Sequence, residues 1–165
     1  MGLAYARVGG QLESFPFVRH GYELLFSASN DFPNDPVLLR ALAKIVSGTK
    51  AETSAEALFD KALAVEPNSA LVYDDMASAA ENAGDNENAI KYLEKTLQLD
   101  PLLVAPYEHL ARLYAATRQL ALAHQTYVRF LKAFPENLEA KRDVRRSSDG
   151  FHTDNARPEA PPSRP

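Results

Sequence analysis

The sequence predicts an all-α fold in which similar helix-turn-helix units follow one another along the chain. The first observation is the spacing of four prolines, which stand 34 residues apart at Pro33, Pro67, Pro101 and Pro135. The second is that large apolar residues recur three or four positions apart within each period, as they do on one face of a helix. A fixed period of this length indicates helical repeats that stack into a solenoid.

Residue types also recur in phase when the proline is taken as position 32 of each unit. The units then run 2–35, 36–69, 70–103 and 104–137. Position 4 holds Tyr5, Leu39, Tyr73 and Tyr107, whereas position 8 holds Gly9, Ala43, Ala77 and Ala111. The small residues allow the two helix backbones of a unit to approach closely. The proline ends the second helix, because it cannot donate a backbone hydrogen bond and it disfavours helix in its predecessor.

Each unit is therefore expected to contain two helices. The predicted helices lie near 3–13, 18–31, 36–47, 54–65, 70–82, 86–99, 104–116 and 120–133. Gly84 marks the turn inside the third unit, and Asp85 is the expected N-cap of the helix that follows. The first unit departs most from the pattern, because Gly9 and Gly10 inside its first helix each cost about 1 kcal/mol relative to alanine.

The pattern resembles the tetratricopeptide repeat, which runs from Trp-x2-Leu-Gly-x2-Tyr through Ala-x3-Phe to a proline. The fourth unit matches it best, at Tyr107, Leu110, Ala111, Tyr114, Ala123, Tyr127 and Pro135. No unit has the tryptophan. The resemblance covers residues 2–137 and implies a right-handed α-solenoid, in which first helices line a concave groove and second helices lie outside.

The segment after the fourth unit has a different composition. Residues 138–146 are largely charged and are expected to form a capping helix with a polar outer face, so that the solenoid domain spans 2–146. Leu138 and Val144 are the residues that could face inward from this helix. Residues 147–165 are rich in Ser, Asp, Asn and Pro, and this composition predicts a disordered tail.

Composition excludes several classes of protein. The 165 residues include no cysteine, so neither disulfides nor thiolate metal sites can form. No apolar run is long enough to span a membrane, and the N-terminus lacks the shape of a signal peptide, so a cytoplasmic protein is expected. Met1 stands almost directly on the first predicted helix, which suggests a segment of a longer protein, and in that case the protein could be periplasmic or exported.

Charge bears on the choice of partner. Residues 1–137 carry 12 Lys+Arg and 17 Asp+Glu, a net charge of −5, within a whole-chain charge of −4. Such an acidic array lacks the basic surface that nucleic acid requires, so no nucleic-acid partner is expected. A protein or peptide partner is the prediction.

The resemblance implies that positions 2, 5, 9 and 12 of each unit face the groove. The groove candidates among them are Val37, Arg40, Lys44, Leu71, Asp74, Ser78, Glu81, Glu108 and Arg112. Arg40 and Lys44 form a basic spot, and Asp74 and Glu81 form an acidic one. Glu108 and Arg112 are expected to pair across one helical turn. These charges either orient a bound peptide or simply solvate an exposed face.

Co-chaperones of this family clamp the acidic C-terminal tails of heat-shock chaperones with Lys, Asn and Arg side chains. Here the second unit offers Arg40 and Lys44, but the third offers Asp74 and Asp75 where Asn is wanted. The fourth offers Ala105 and His109 in place of a cationic pair. The departures make chaperone-tail binding the less favoured alternative.

No constellation for catalysis, cofactor binding or metal binding is found in the sequence. No His-Glu-x-x-His spacing and no glycine-rich phosphate loop occurs, and His109 with His124 is better explained by packing than by a metal site. The predicted function is a non-catalytic scaffold that binds a partner peptide or helix in the groove. The alternatives are a structural docking arm, or a regulatory module of a larger assembly or multidomain enzyme.

Overall fold

A computed structural model describes the backbone of residues 16–47 and 52–154, which contain eight α-helices and no strand. Side chains are described for residues 19–47 and 55–148. The helices are α1 (Pro16–Asp31), α2 (Pro36–Ser47), α3 (Glu52–Val65), α4 (Ala70–Ala83), α5 (Asn86–Leu99), α6 (Ala105–Ala116), α7 (Leu120–Ala133) and α8 (Leu138–Asp154). The predicted all-α fold is confirmed. The helix predicted at 3–13 lies outside the described residues.

The chain divides into two compact units, Met1–Asp100 and Pro101–Pro165. In the first unit α2 packs on α3 and α4 packs on α5, and α4 also contacts both α2 and α3. In the second unit α7 packs against both α6 and α8. Each helix pair corresponds to one predicted repeat, whereas a single solenoid domain with the bounds 2–146 stays a prediction.

The repeat positions predicted to be small or large form the cores. Ala43 and Ala77, both at position 8, are completely buried, and Ala55 at position 20 is nearly so. Because these side chains are short, α2 lies close enough to α3 for Leu42 and Phe59 to be buried in the same cluster. The phase of the sequence pattern therefore predicts which helix faces are buried.

The turn between α4 and α5 has the conformation that its sequence predicts. Gly84 has a positive φ of 78° and ends α4, a backbone conformation that glycine adopts without steric cost. The Asp85 carboxylate accepts hydrogen bonds from the backbone N–H of Asn88 at 3.1 Å and from its Nδ2 at 2.7 Å. Both the turn glycine and the N-cap are confirmed.

The last helix is longer than predicted, because α8 continues to Asp154 and does not end at Arg146. The serines thought to start the tail satisfy their hydroxyls within the helix. Ser147 Oγ donates to the carbonyl of Asp143 at 2.7 Å, and Ser148 Oγ donates to that of Val144 at 2.9 Å. The rest of the predicted disordered tail, 155–165, lies outside the described residues.

Leu138 does not face inward as expected. Its exposed fraction is 71%, whereas Ala140 of the same helix is completely buried. Asn137 caps the start of this helix, because its Oδ1 accepts a hydrogen bond from the Ala140 N–H at 2.9 Å, and this fixes which face of the first turn packs inward. At about 100° per residue, Leu138 and Ala140 project roughly 200° apart, so only one of them can pack inward.

Candidate functional site

The predicted groove face of the first unit is carried by α2 and α4, the first helices of two adjacent repeats. Val37 near the start of α2 is 66% exposed, and Leu71 near the start of α4 is 46% exposed. Both residues occupy position 2 of their repeats. Two exposed branched apolar side chains at equivalent positions offer contact area to a partner.

A compact ion cluster joins the same two helices. Arg40 of α2 donates from Nε to Asp75 Oδ2 of α4 at 2.7 Å, and its Nη2 lies 2.7 Å from the same oxygen. Lys44 Nζ lies 3.0 Å from Asp75 Oδ1. These three residues are called the Asp75 cluster below. Two cations share one carboxylate, so the cluster keeps one formal positive charge.

Exposure differs sharply among the members of the Asp75 cluster. The side chain of Asp75 is 5% exposed and that of Arg40 is 20% exposed, whereas Lys44 is 58% exposed. The aspartate is therefore a structural link between repeats, and the lysine is the member that solvent or a partner can reach. Its ammonium group can bind a carboxylate of a partner without leaving Asp75 unpaired, because Arg40 still bonds to that aspartate.

Sequence reasoning named Asp75 only as a departure from the chaperone clamp and did not count it among the groove candidates. It lies at position 6, where the second unit has Ala41 and the fourth has His109. An acidic residue at a position that is alanine in the neighbouring repeat was the available signal. The predicted acidic residues Asp74 and Glu81 lie half-buried on α4, and so does Ser78. Arg40 and Lys44 thus pair with Asp75, an acidic residue of α4 that was not among the groove candidates.

In the second unit the predicted candidates lie on α6. Glu108 and Arg112 are both exposed and lie one helical turn apart, and their mutual pairing stays a prediction. His124 of α7 has its Nδ1 2.9 Å from Ser147 Oγ of α8, so this histidine helps to hold the terminal helix. Among the residues that the structure describes, no group of three His, Asp or Glu side chains is placed to hold a metal ion.

None of the described helices combines the length and the apolar composition that crossing a membrane would require. A family model for the tetratricopeptide repeat matches residues 70–101, which comprise α4, α5 and the turn between them. No protein in a curated collection of sequences matches the chain. The resemblance found in the sequence is thereby confirmed for the third repeat.

Solved structures extend the likeness of fold beyond that repeat. MamA protein is 18% identical, with a TM-score of 0.66 over 94% of this chain and 86% of its own. The Sgt2 domain from Aspergillus fumigatus is 18% identical, with a TM-score of 0.61 over 79% and 87%. The first tetratricopeptide-repeat domain of Spaghetti (RPAP3), bound to an HSP90 peptide, is 19% identical, with a TM-score of 0.56 over 71% of this chain and 95% of its own.

These likenesses establish the class of protein by fold. The described helices resemble tetratricopeptide-repeat solenoid structures, and proteins built from this repeat are generally non-catalytic scaffolds for protein–protein interaction. Because these identities are below one fifth, the structures show the fold of this chain and do not indicate its partner.

Proposed function

We propose that the chain is a non-catalytic scaffold whose first compact unit binds a segment of a partner protein along α2 and α4. The observation that supports this most is the exposure of Val37 and Leu71 on the two helices that the Asp75 cluster joins. Apolar anchors beside a partly exposed cation are what an extended or helical peptide needs for affinity and orientation.

The chemistry of the partner segment follows from the charges. Lys44 is the most exposed member of a cluster with one excess positive charge, so it suits a carboxylate of the partner. Apolar side chains of the partner pack on Val37 and Leu71. The partner is therefore a segment in which an acidic residue stands close to two apolar ones. A cytoplasmic location for this interaction stays a prediction.

Capture of an acidic chaperone tail is disfavoured by the same cluster. RPAP3 is seen with an HSP90 peptide. In this chain, however, the cations that an acidic tail would need, Arg40 and Lys44, already pair with Asp75. Asp75 bonds to both cations of the second repeat and is itself 5% exposed. A tail with several carboxylates would have to compete with a buried aspartate for Arg40, and this costs binding free energy.

Site-specific photo-crosslinking tests the proposal. A photoreactive amino acid replaces Val37 or Leu71, and a third variant carries it at Val65 on α3, which is 44% exposed in the same unit. We expect one partner to cross-link from Val37 and Leu71 but not from Val65. Lys44→Ala should weaken that capture, whereas Lys61→Ala, which truncates an exposed lysine of α3, should not.

The opposite pattern would support the docking-arm alternative. If the partner cross-links from Val65 and not from the α2 and α4 positions, the groove assignment is wrong. Substitution of Arg40 is unsuitable for this test. Arg40→Glu would place a second carboxylate beside that of the nearly buried Asp75, and this repulsion would unfold the unit.

A further inference from the structure

The two compact units carry net charges of opposite sign. Residues 1–100 contain 8 Lys+Arg and 15 Asp+Glu, a net charge of −7, whereas residues 101–165 contain 10 and 7, a net charge of +3. Opposite charges on two parts of one chain favour association between the acidic part of one copy and the basic part of another. Each unit contains a surface that combines this charge with apolar side chains.

The acidic surface is a cleft of about 270 Å³ in the first unit. Its apolar lining consists of Ala55, Phe59, Met76, Ala79, Ala80, Ala83 and the ring of Tyr92. Glu56 and Asp85 contribute carboxylates at its edge, and no Lys or Arg is among the described residues that line it. The volume is below the roughly 300–1,000 Å³ of small-molecule sites, so the cleft suits one or two side chains.

The electrostatic field in the cleft is negative. Burial raises the pKa of the Tyr92 phenol, and the charges of Glu56, Asp85 and Asp60 raise it further. Each of these carboxylates disfavours the negative charge that the tyrosine oxygen would carry after losing its proton. The same field attracts a cation that is brought to the edge of the cleft.

The basic surface is the outer side of α8. Leu138 is 71% exposed, and Lys141, Arg142, Arg145 and Arg146 are all exposed as well. These five residues lie on one side of the helix, opposite the buried Ala140, and are called the α8 face. Lys141 Nζ lies 3.7 Å from a carboxylate oxygen of Glu136, and that pair is solvent-exposed. The face thus presents an apolar residue followed by cations one and two turns along.

We propose that the α8 face of one copy docks into the cleft of a second copy. Leu138 enters the apolar cleft while Arg142 and Arg145 bind Glu56 and Asp85 at its edge. The interface is heterologous, because each copy uses a different surface, so each copy can bind one neighbour through its cleft and another through α8. Val37, Leu71 and the Asp75 cluster, which form the proposed peptide site, are not among the residues that line the cleft.

Sedimentation velocity on two charge-reversed variants tests the proposal. The cleft variant is Glu56→Lys with Asp60→Lys, which spares the N-cap Asp85, and the α8 variant is Arg142→Glu with Arg145→Glu. We expect the wild-type chain to form concentration-dependent oligomers that dissociate at high salt. Each variant alone should associate more weakly by on the order of tenfold or more.

Mixing the two variants is the decisive experiment. The intact α8 face of the cleft variant can bind the intact cleft of the α8 variant, and the two reversed surfaces also complement each other in charge. The mixture should therefore form hetero-oligomers, although each variant alone associates weakly. Leu138→Ser should also weaken wild-type association without changing any charge. Glu66→Lys and Arg118→Glu, which reverse exposed charges elsewhere in the two units, are the matched controls and should leave association unchanged.

Circular dichroism of each variant first establishes that its helix content equals that of wild type. A wild-type chain that is monomeric at every concentration at low salt would overturn the proposal. So would variants that associate as wild type does, or a mixture that stays monomeric.

Discussion

The carboxylate of Asp75 lies 2.7 Å from Nε of Arg40, a residue 35 positions earlier in the chain, and thereby joins two consecutive repeats. The side chain of Asp75 is 5% exposed and that of Arg40 is 20% exposed, so water screens this pair much less than a surface pair. The bond fixes α2 relative to α4 at the point where the groove candidates lie. It therefore connects the stability of the first unit to the geometry of its proposed binding face.

Asp75→Ala should destabilise the first unit. The substitution leaves Arg40 largely buried without its carboxylate partner, and we expect a loss of roughly 2–4 kcal/mol in the free energy of unfolding. Urea denaturation followed by circular dichroism measures it. Lys44→Ala serves as the matched control, because its side chain is 58% exposed and the pair it breaks is worth at most about 1 kcal/mol. Equal losses in the two variants would contradict the structural role of Asp75.

Gly84→Ala and Gly21→Ala should change stability in opposite directions. Neither added Cβ would come within 4 Å of another group in the part of the chain that the structure describes, so clashes with those residues are not the cause. Gly84 has a φ of 78°, and alanine there costs about 1 kcal/mol of strain. Gly21 lies inside α1, where alanine is expected to stabilise the helix by about 0.5–1 kcal/mol. Thermal unfolding of the two variants gives the signs, and two changes of the same sign would show this account to be wrong.

The N-cap Asp85 should contribute a pH-dependent part of the stability. Hydrogen bonds from the backbone and then from the side chain of Asn88 lower the pKa of Asp85 below 3.8. A carboxyl whose pKa is lower in the folded state stabilises the protein above the unfolded-state value, and this contribution is lost as pH falls through the folded-state value. The difference in unfolding free energy between wild type and Asp85→Ala should therefore shrink below pH 3.8.

Asp85→Asn separates the cap from its charge. Asparagine is also a good N-cap and does not ionise, so the difference between this variant and Asp85→Ala should stay constant with pH. Urea titrations at neutral and at acidic pH make both comparisons. A wild-type advantage over alanine that does not change with pH would argue against ionised Asp85 as the capping group.

Phe130 should be the most sensitive apolar position of the second unit. Its side chain is completely buried, and its ring stacks on Tyr107 at a centroid distance of 5.2 Å and meets Phe134 edge-on at 5.4 Å. Phe130→Ala should cost roughly 3–5 kcal/mol because it leaves a cavity between two other rings. Val128→Ala on the same helix is the control, since Val128 is 44% exposed and its truncation should cost less than about 0.5 kcal/mol. Chemical denaturation compares the two, and similar losses would count against the ring cluster.

Periodicity alone determined the class of fold and most of the buried positions. The prolines 34 residues apart and the small residues at Ala43, Ala77 and Ala111 predicted helical hairpins packed through close backbones, and these alanines are completely buried. The sequence also predicted the turn at Gly84 and the N-cap at Asp85. These features depend on residues near one another in sequence, so backbone sterics and hydrogen bonding decide them without knowledge of the rest of the chain.

Only the tertiary structure decided which charges meet. Sequence placed Arg40 and Lys44 on the groove face, but the partner they find, Asp75, lies one repeat away and outside the positions counted as groove-lining. The outward direction of Leu138 and the continuation of α8 to Asp154 were likewise decided by packing on α7 and by serine hydroxyls bonding within the helix. A periodic pattern specifies the face on which a residue lies. The distance between two charged side chains depends on how neighbouring helices pack, and that is set by the core as a whole.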